Sequence, residues 1–200
     1  MEKKFRLAQS NIEDFMKIVE FDNKLSMHLG KQKKYETDEE IAEHYLYFSK
    51  CHNNIDEYYI FYEQNNKLVG YIHVGSYIFF NGKRDESIGN ICDIFVDPEN
   101  RNGVIALELL REGLKILQKQ NINQAIMTVQ THNPFRFLHY GIADEVYTRE
   151  KYIRKNGEES ENIILQINDI NSLQQRPFKD ILRNINEHRK NFRDNGIEFE

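Results

Sequence analysis

The chain has 200 residues, 40% of them apolar and 30% charged, which is enough to bury a core in one ordinary globular domain. Its net charge of −5 argues against nucleic acid as a partner, because phosphate binding needs a basic face, and weakly favours cationic substrates. No apolar run reaches bilayer-spanning length, Met1–Gln9 lacks the apolar stretch of a secretion signal, and Cys51 and Cys92 do not make a disulfide framework, so the expectation is a cytoplasmic protein with reduced thiols and no membrane partner.

Phe5–Ala8 reads as a short strand. Ser10 then opens a helix, with Glu13 placed to complete a capping box and Ile12, Phe15, Met16 and Val19 repeating at helical spacing. Phe21–Glu36, polar and lysine-rich with Gly30, reads as a loop. Thr37 and Glu40 form a second capping box, followed by the stripe Ile41, Tyr45, Phe48. Tyr58–Glu63 and Lys67–Phe80 are strands separated by Gln64-Asn65-Asn66, a turn whose asparagines tolerate positive φ. A second turn at Asn81-Gly82-Lys83 leads into the strand Ile88–Val96.

The spacing of Ile105, Leu109, Ile116 and Leu117 predicts a helix over Val104–Gln120. Ala125–Thr131 alternates as a strand does. Asn133-Pro134 opens another helix, with asparagine as cap and proline in the first turn. Val146–Arg154 and Asn162–Asn168 flank Lys155-Asn156-Gly157 as a final hairpin. The order β α α β β β α β α β β predicts an α/β (α+β) fold, a mixed and mostly antiparallel sheet with helices on its faces. No linker interrupts it, so residues 1–170 read as one domain and 171–200 as a helical extension.

Residues 91–110, Ile91-Cys92-Asp93-Ile94-Phe95-Val96-Asp97-Pro98-Glu99-Asn100-Arg101-Asn102-Gly103-Val104-Ile105-Ala106-Leu107-Glu108-Leu109-Leu110, resemble the cofactor-binding motif of the GNAT superfamily of N-acetyltransferases. That motif is a strand ending in hydrophobic-Val-x-Pro, then Arg/Gln-x-x-Gly-x-Gly/Ala, then a leucine-rich helix start. Arg101 and Ala106 hold its outer positions. Asn133 and Tyr140 keep the seven-residue spacing of an asparagine and a tyrosine common in the family, and the element order matches over about Phe5 to Ile170.

The resemblance implies acetyl-CoA as cosubstrate, with no metal. The turn Arg101, Asn102, Gly103, Val104, Ile105 and Ala106 would hold the pyrophosphate at a helix N-terminus, where unpaired amides and the helix dipole favour anions. Backbone groups of Phe95 and Val96 would bond the pantetheine arm as an added strand does. Asn133 would complete the cofactor site, and Tyr140 would protonate the leaving thiolate. Two departures stand out. The family's first motif glycine falls on Val104, with Gly103 one place early, and Asp144-Glu145 replaces a common Gly-Phe.

Cys92-Asp93-Ile94-Phe95-Val96 is similar to the acidic strand of polyamine acetyltransferases, which implies that Asp93 binds a substrate amine. Asp93 reads equally well as a strand carboxylate satisfied by backbone or a neighbouring arginine. Cys92 stands where that strand has glutamate and reads as a small buried apolar residue. His73, His132 and His139 show no metal-ligand spacing. Phe178, Ile181, Leu182, Ile185 and Phe192 stripe a C-terminal helix that must be covered, by this chain's own sheet or by a second copy in a homodimer.

No nucleophile elbow, Walker loop or kinase signature is present. The expected activity is transfer of acetyl from acetyl-CoA to the primary amine of a small cationic molecule by direct attack. Two alternatives stay open: transfer to a protein N-terminus or lysine, and a degenerate domain that binds without chemistry. Loops that shape an acceptor pocket do not identify the acceptor.

Overall fold

The computed structural model describes residues 3–28, 30, 32–53, 56–80, 83–101, 103–130, 141–153, 157 and 159–195. The chain divides into two compact units, Met1–Gly75 with Asp93–Lys115, and Ser76–Cys92 with Ile116–Glu200. The fold is the mixed α/β one expected, mostly antiparallel, with five helices among the described residues.

In the first unit, β1 (Lys3–Leu7) pairs antiparallel with β2 (Glu57–Gln64), and β2 with β3 (Lys67–Gly75). Asn65 and Asn66 make the β2–β3 turn with φ of 50° and 62°, the two-residue geometry whose twist matches that of paired strands. The end of β6 (Ile88–Val96) lies beside β3. Asp97 N donates to Val69 O at 2.8 Å, the Tyr71 and Phe95 rings are 5.5 Å apart, and His73 Nδ1 is 3.8 Å from Asp93 Oδ2. The partners advance along β3 as they recede along β6, so the two strands run antiparallel.

Alternation gives the unit two faces. Ile72 and Val74 point at α3 (Val104–Lys119), where a Cβ on Gly113 would come within 2.9 Å of Ile72 and 3.0 Å of Val74. Phe61 and Tyr71 point the other way, into a cluster with Phe15, Ile18 and Val19 of α1 (Ile12–His28) and Phe48 of α2 (Asp38–Asn53).

The Thr37–Glu40 capping box is present: Thr37 Oγ1 accepts from Glu40 N at 3.2 Å and Glu40 Oε2 from Thr37 N at 3.1 Å. At α1 the cap differs from the expected one. Asn11 Oδ1 accepts from Asp14 N at 2.9 Å, whereas the Ser10 hydroxyl lies 3.1 Å from that of Ser49 on α2. Ile12, expected inside, is 52% exposed, because the helix starts one residue later and turns that position outward. The expected loop from Phe21 is helix as far as His28, since Phe21 and Leu25 continue the buried stripe across the polar residues between them.

Arg6 ties β1, β2 and α1 together. Its guanidinium makes two bonds of 2.6 Å to the Asp14 carboxylate and bonds of 2.9 and 3.0 Å to that of Glu63. Burial pushes the Asp14 carboxyl up, but hydrogen bonds from Arg6 and Gln9 N override it and leave it below its ordinary range. The Arg6 bonds lower Glu63 against a smaller burial effect.

In the second unit, the start of β6 pairs parallel with β7 (Gln124–Gln130) over Ile88–Ile91. β9 (Glu159–Ile167) pairs antiparallel with β7 and with β8 (Glu145–Ile153). Lys67–Phe80, expected as one strand, ends at Gly75 and resumes as β4 (Ile78–Phe80), which pairs with β5 (Lys83–Asp85). The expected turn residues Asn81 and Gly82 lie outside the described residues. A short helix, α4 (Ile170–Gln175), is capped by the Asp169 carboxylate. In α5 (Phe178–Asp194), Ile181 and Ile185 are buried and Phe178 and Leu182 half-buried. Gly141 lies so close that its Cβ would sit 2.3 Å from Ile185 Cγ1. Part of the C-terminal stripe is therefore covered within this unit; the Phe192 side chain is outside the described residues. No helix among the described residues is long and apolar enough to cross a membrane.

Replacing Arg6 by methionine leaves two buried carboxylates without their main partner and should cost about 3–5 kcal/mol at neutral pH. Both folded carboxyl groups titrate below their unfolded range. Their contribution is present above the unfolded values and is lost as pH falls through the folded ones. Urea unfolding of both proteins should show a deficit that narrows on acidification. A constant deficit down to acid pH would mean that Arg6 acts by packing alone.

Candidate active site

The end of β6 is held by a close backbone approach. A Cβ on Gly70 would stand 2.7 Å from Phe95 O, 3.2 Å from Leu109 Cδ1 and 3.4 Å from Val96 Cα. With Asp97 N bonded to Val69 O, antiparallel alternation directs the Val96 N–H and C=O away from β3. The registered pairing of β6 with β7 ends at Ile91 among the described residues. Val96 O accepts from Arg101 Nε at 3.0 Å. The expected site residues Phe95 and Val96 are thus half-buried and buried, respectively, with the Val96 backbone directed outward from the β3 edge.

Asp97 starts the next turn. Its carboxylate accepts from Glu99 N at 3.3 Å, capping the short 3-10 turn Pro98–Asn100, and pairs with Lys24 Nζ at 2.7 Å. Arg101 is exposed and follows directly. Gly103 then takes φ of 79°, and Val104 begins α3 without a positive φ. The glycine one place early stands where the left-handed conformation is required, and Val104, a residue 36% exposed, adopts only ordinary backbone. Ile105 is buried and Ala106 half-buried. Asn102 lies outside the described residues. The turn delivers a sixteen-residue helix with its N-terminus beside Arg101, an arrangement suited to an anionic ligand group.

Asp93 lies on the face of β6 that carries Phe95, two residues before it, with its side chain 46% exposed. Among the described residues its carboxylate lies 3.8 Å from His73 Nδ1 and interacts with the Lys34 charge, where one reading expected backbone or an arginine. The His73 ring stacks on Tyr59 at 4.0 Å and 10°, and its Nε2 lies 2.9 Å from Glu57 Oε2. Glu57 is buried and also lies 3.4 Å from the Tyr47 hydroxyl. Nearby on the same face, Asp22 accepts from the Tyr71 hydroxyl at 2.7 Å and from Lys34 Nζ at 2.6 Å. Burial and the charges of Asp22 and Asp93 push the Tyr71 hydroxyl well above its ordinary value, so it stays a donor. Burial disfavours the Lys34 charge, but Asp22 outweighs it and raises the group.

Glu57 and Asp22 did not emerge from the sequence. The visible signal for Glu57 was the hairpin register, which sets Tyr59 opposite His73 and Glu57 one step along the same face. Cys92 is a half-buried free thiol. Asn133 and Tyr140, with His132 and His139, lie outside the described residues. No group of three His, Cys, Asp or Glu side chains among the described residues is arranged to hold a metal ion.

The chain resembles N-acetyltransferase from Staphylococcus aureus Mu50, with a TM-score of 0.66 and 18% identity over 85% of this chain and 99% of that one. It resembles the yncA protein of Salmonella typhimurium, solved with its cofactor acetyl-CoA, with a TM-score of 0.63 and 15% identity over 86% and 95%. Ribosomal-protein-alanine N-acetyltransferase from Brucella melitensis superposes with a TM-score of 0.63 and 17% identity over 82% and 98%. No curated protein sequence matches the chain. The model of the acetyltransferase (GNAT) family matches residues 24–136, more than half of the chain and including the strand, turn and helix start described above, and the chain belongs to that family.

Proposed function

We propose that the protein transfers an acetyl group from acetyl-CoA to the primary amine of a small cationic molecule, by direct attack of the amine on the thioester. The observation that carries this reading is the unit formed by the outward-facing Val96 backbone, Arg101 and the Gly103 turn at the start of α3. Those residues fit the cosubstrate: a strand edge for an amide-rich arm, and a helix N-terminus with a guanidinium for phosphates. Acetyl-CoA supplies an activated acyl group. Phe95, Val96, Arg101 and residues 102–106 bind and orient it, with Asn133 as a further contact assigned by spacing. Tyr140, assigned in the same way, protonates the departing sulfur.

The acceptor preference rests on charge. Asp93, Asp22 and Glu57 share one face with Tyr59, Tyr71 and Phe95, and carboxylates among aromatic rings suit an ammonium group. The name of the Brucella neighbour supports a second reading, a peptide N-terminus as acceptor. A panel of di- and polyamines beside peptides, assayed by thiol release, separates the two. Turnover confined to peptides would overturn the small-molecule reading.

Acetyl-CoA at a hundred times its dissociation constant should stabilise the fold by about 2.7 kcal/mol, seen as a rise in Tm. No shift at millimolar acetyl-CoA would favour a domain that has lost the chemistry.

The turn itself makes a sharper expectation. Gly103→Ala places a Cβ at φ of 79° and should cost about 1 kcal/mol and weaken acetyl-CoA binding. Val104→Gly should bind at least as well as wild type. Equal affinity in all three proteins, measured by calorimetry, would place the phosphates elsewhere.

Tyr140→Phe should retain cofactor affinity and lose about 10²–10⁴-fold in kcat. A variant that instead binds acetyl-CoA weakly and turns over normally would make Tyr140 a packing residue.

A further inference from the structure

Under the acetyl-transfer reading, an acceptor brings an ammonium group to a face of carboxylates and aromatic rings. The chain already holds one ammonium there. We infer that Lys34 is a site of self-modification: with acetyl-CoA bound and no acceptor present, its side chain takes the acetyl group within the same chain. The inference rests on the acetyl-transfer reading and adds an acceptor that neither the motif nor the comparisons supply.

Three consecutive side chains of α1 build the place. Asp22 Oδ2 accepts from Lys34 Nζ at 2.6 Å. Asn23 grips the backbone of the next residue: its Nδ2 donates to Tyr35 O at 3.0 Å, and its Oδ1 accepts from Tyr35 N at 2.9 Å. Lys24 Nζ donates to Asp97 Oδ2 at 2.7 Å, and Asp97 is the residue after Val96, whose backbone faces outward from the β3 edge. One turn of helix thus fixes both the Lys34 segment and the end of β6. On its other oxygen Asp22 accepts from the Tyr71 hydroxyl at 2.7 Å, and the Tyr71 ring lies 5.5 Å from that of Phe95. Lys34 also interacts with the charge of Asp93 on β6.

Lys34 is seated as a bound amine is. Its Nζ lies 5.3 Å from the centre of the Tyr35 ring, within cation–π range, and its partner Asp22 is buried. The Lys34 side chain is itself 48% exposed, so water reaches the ammonium to take a proton. The flexible four-carbon stem lets Nζ swing from Asp22 towards the Val96 edge while Tyr35 stays pinned. Such a tether replaces a bimolecular encounter by an intramolecular one, at an effective concentration far above that of a free amine. Unbound acetyl-CoA has the opposite preference. Burial works against the Lys34 charge, but Asp22 outweighs it and holds the proton more firmly than in an ordinary lysine. Uncatalysed acetylation needs a neutral amine and is therefore slow at this position. Lys33, exposed and one residue away, is an internal control for that uncatalysed reaction.

The step balances as follows. One N–H bond of the Lys34 ammonium breaks and its proton goes to water. The freed electron pair on Nζ forms the C–N bond at the thioester carbonyl carbon. The C–S bond breaks with its pair on sulfur. A second proton leaves the nitrogen as the amide forms, and the thiolate takes up one proton. Ammonium and acetyl thioester thus give acetyl-lysine, thiol and one proton, and the charge at position 34 is lost. In this scheme Lys34 is the acceptor, and Asp22 and Asn23 are positioning residues.

The test is to incubate the full chain with acetyl-CoA and no amine, and to follow each lysine by peptide mass spectrometry, with fragment ions separating Lys33 from Lys34. Lys34 should be modified about tenfold or more faster than Lys33. Its rate should saturate with acetyl-CoA, and its first-order rate constant should not depend on protein concentration. Excess CoA should suppress the Lys34 label and spare that of Lys33. Asn23→Ala, which unpins Tyr35, should narrow the preference for Lys34 and leave the acetyl-CoA thermal shift unchanged. The wild-type comparison needs no variant, so it decides even if Asn23→Ala does not fold. Lys34 modified no faster than Lys33, or at a rate constant proportional to protein concentration, overturns this inference while amine turnover keeps the acetyl-transfer reading. A preference unchanged in a folded Asn23→Ala protein overturns the seating by α1 on which the inference stands. A folded wild type that acetylates neither an amine nor Lys34 overturns the acetyl-transfer reading and takes this one with it.

Discussion

The approach of β3 to β6 at Gly70 is the constraint on which the site depends. A methyl group there would meet a carbonyl oxygen of the neighbouring backbone at 2.7 Å and a leucine of α3 at 3.2 Å. Backbone cannot move aside as a flexible side chain can, so any other residue would push the end of β6 and the start of α3 from their places. The consequences run along the chain. With β6 pressed on β3, Asp97 N bonds Val69 O, the Val96 backbone groups face the other way, and Arg101 reaches back to one of them. The turn is thus set by its strand before Gly103 supplies the backbone conformation that begins the helix.

The same unit buries many polar groups on its α1 and α2 face, and they fall into two kinds. Arg6 is matched to Asp14 and Glu63 by short bonds, with Lys17 at 3.1 Å as a second cation on Glu63. That cluster is compensated in charge and geometry, as a buried ionic group must be if it is not to cost stability. At His73 the balance differs. One imidazole faces two carboxylates, and the second contact is too long to be a bond. Asp22 and Lys34 compensate one another nearby, and the Asp93 side chain is 46% exposed. A carboxylate at a partly exposed place attracts a cation from outside.

How much of this the sequence shows depends on the range over which each feature is encoded. The Thr37 box, the Asn65-Asn66 turn and the strand from Ile88 to Val96 are local, written in residues a few places apart, and they read correctly. The extent of α1 did not, because the polar residues between Phe21 and Leu25 hid a buried stripe that only packing reveals. Ser10 looked like the cap because it precedes the helix with a glutamate three residues on. Asn11 competes for the same role, and the bond to Ser49 draws Ser10 away. At the site, the strand and turn were legible as a contiguous motif, and Gly103 explains its own displacement once φ is known. The His73–Glu57–Asp93 group joins three strands. No spacing in one sequence encodes that meeting, although His73 was visible as one of the available imidazoles.

Charge also bears on how a turnover would end under the proposed reaction. The acceptor arrives as an ammonium attracted to Asp93, and acetylation converts that nitrogen to a neutral amide. An amide keeps one N–H to donate but loses the ionic part of the interaction, and hydrogen bonds to charged groups weaken when the partner is neutral. A carboxylate that gathers the substrate at Asp93 would thus hold the product less tightly, with no movement of the chain required. The same asymmetry opposes the reverse reaction at this seat, since an amide binds there worse than the amine it came from.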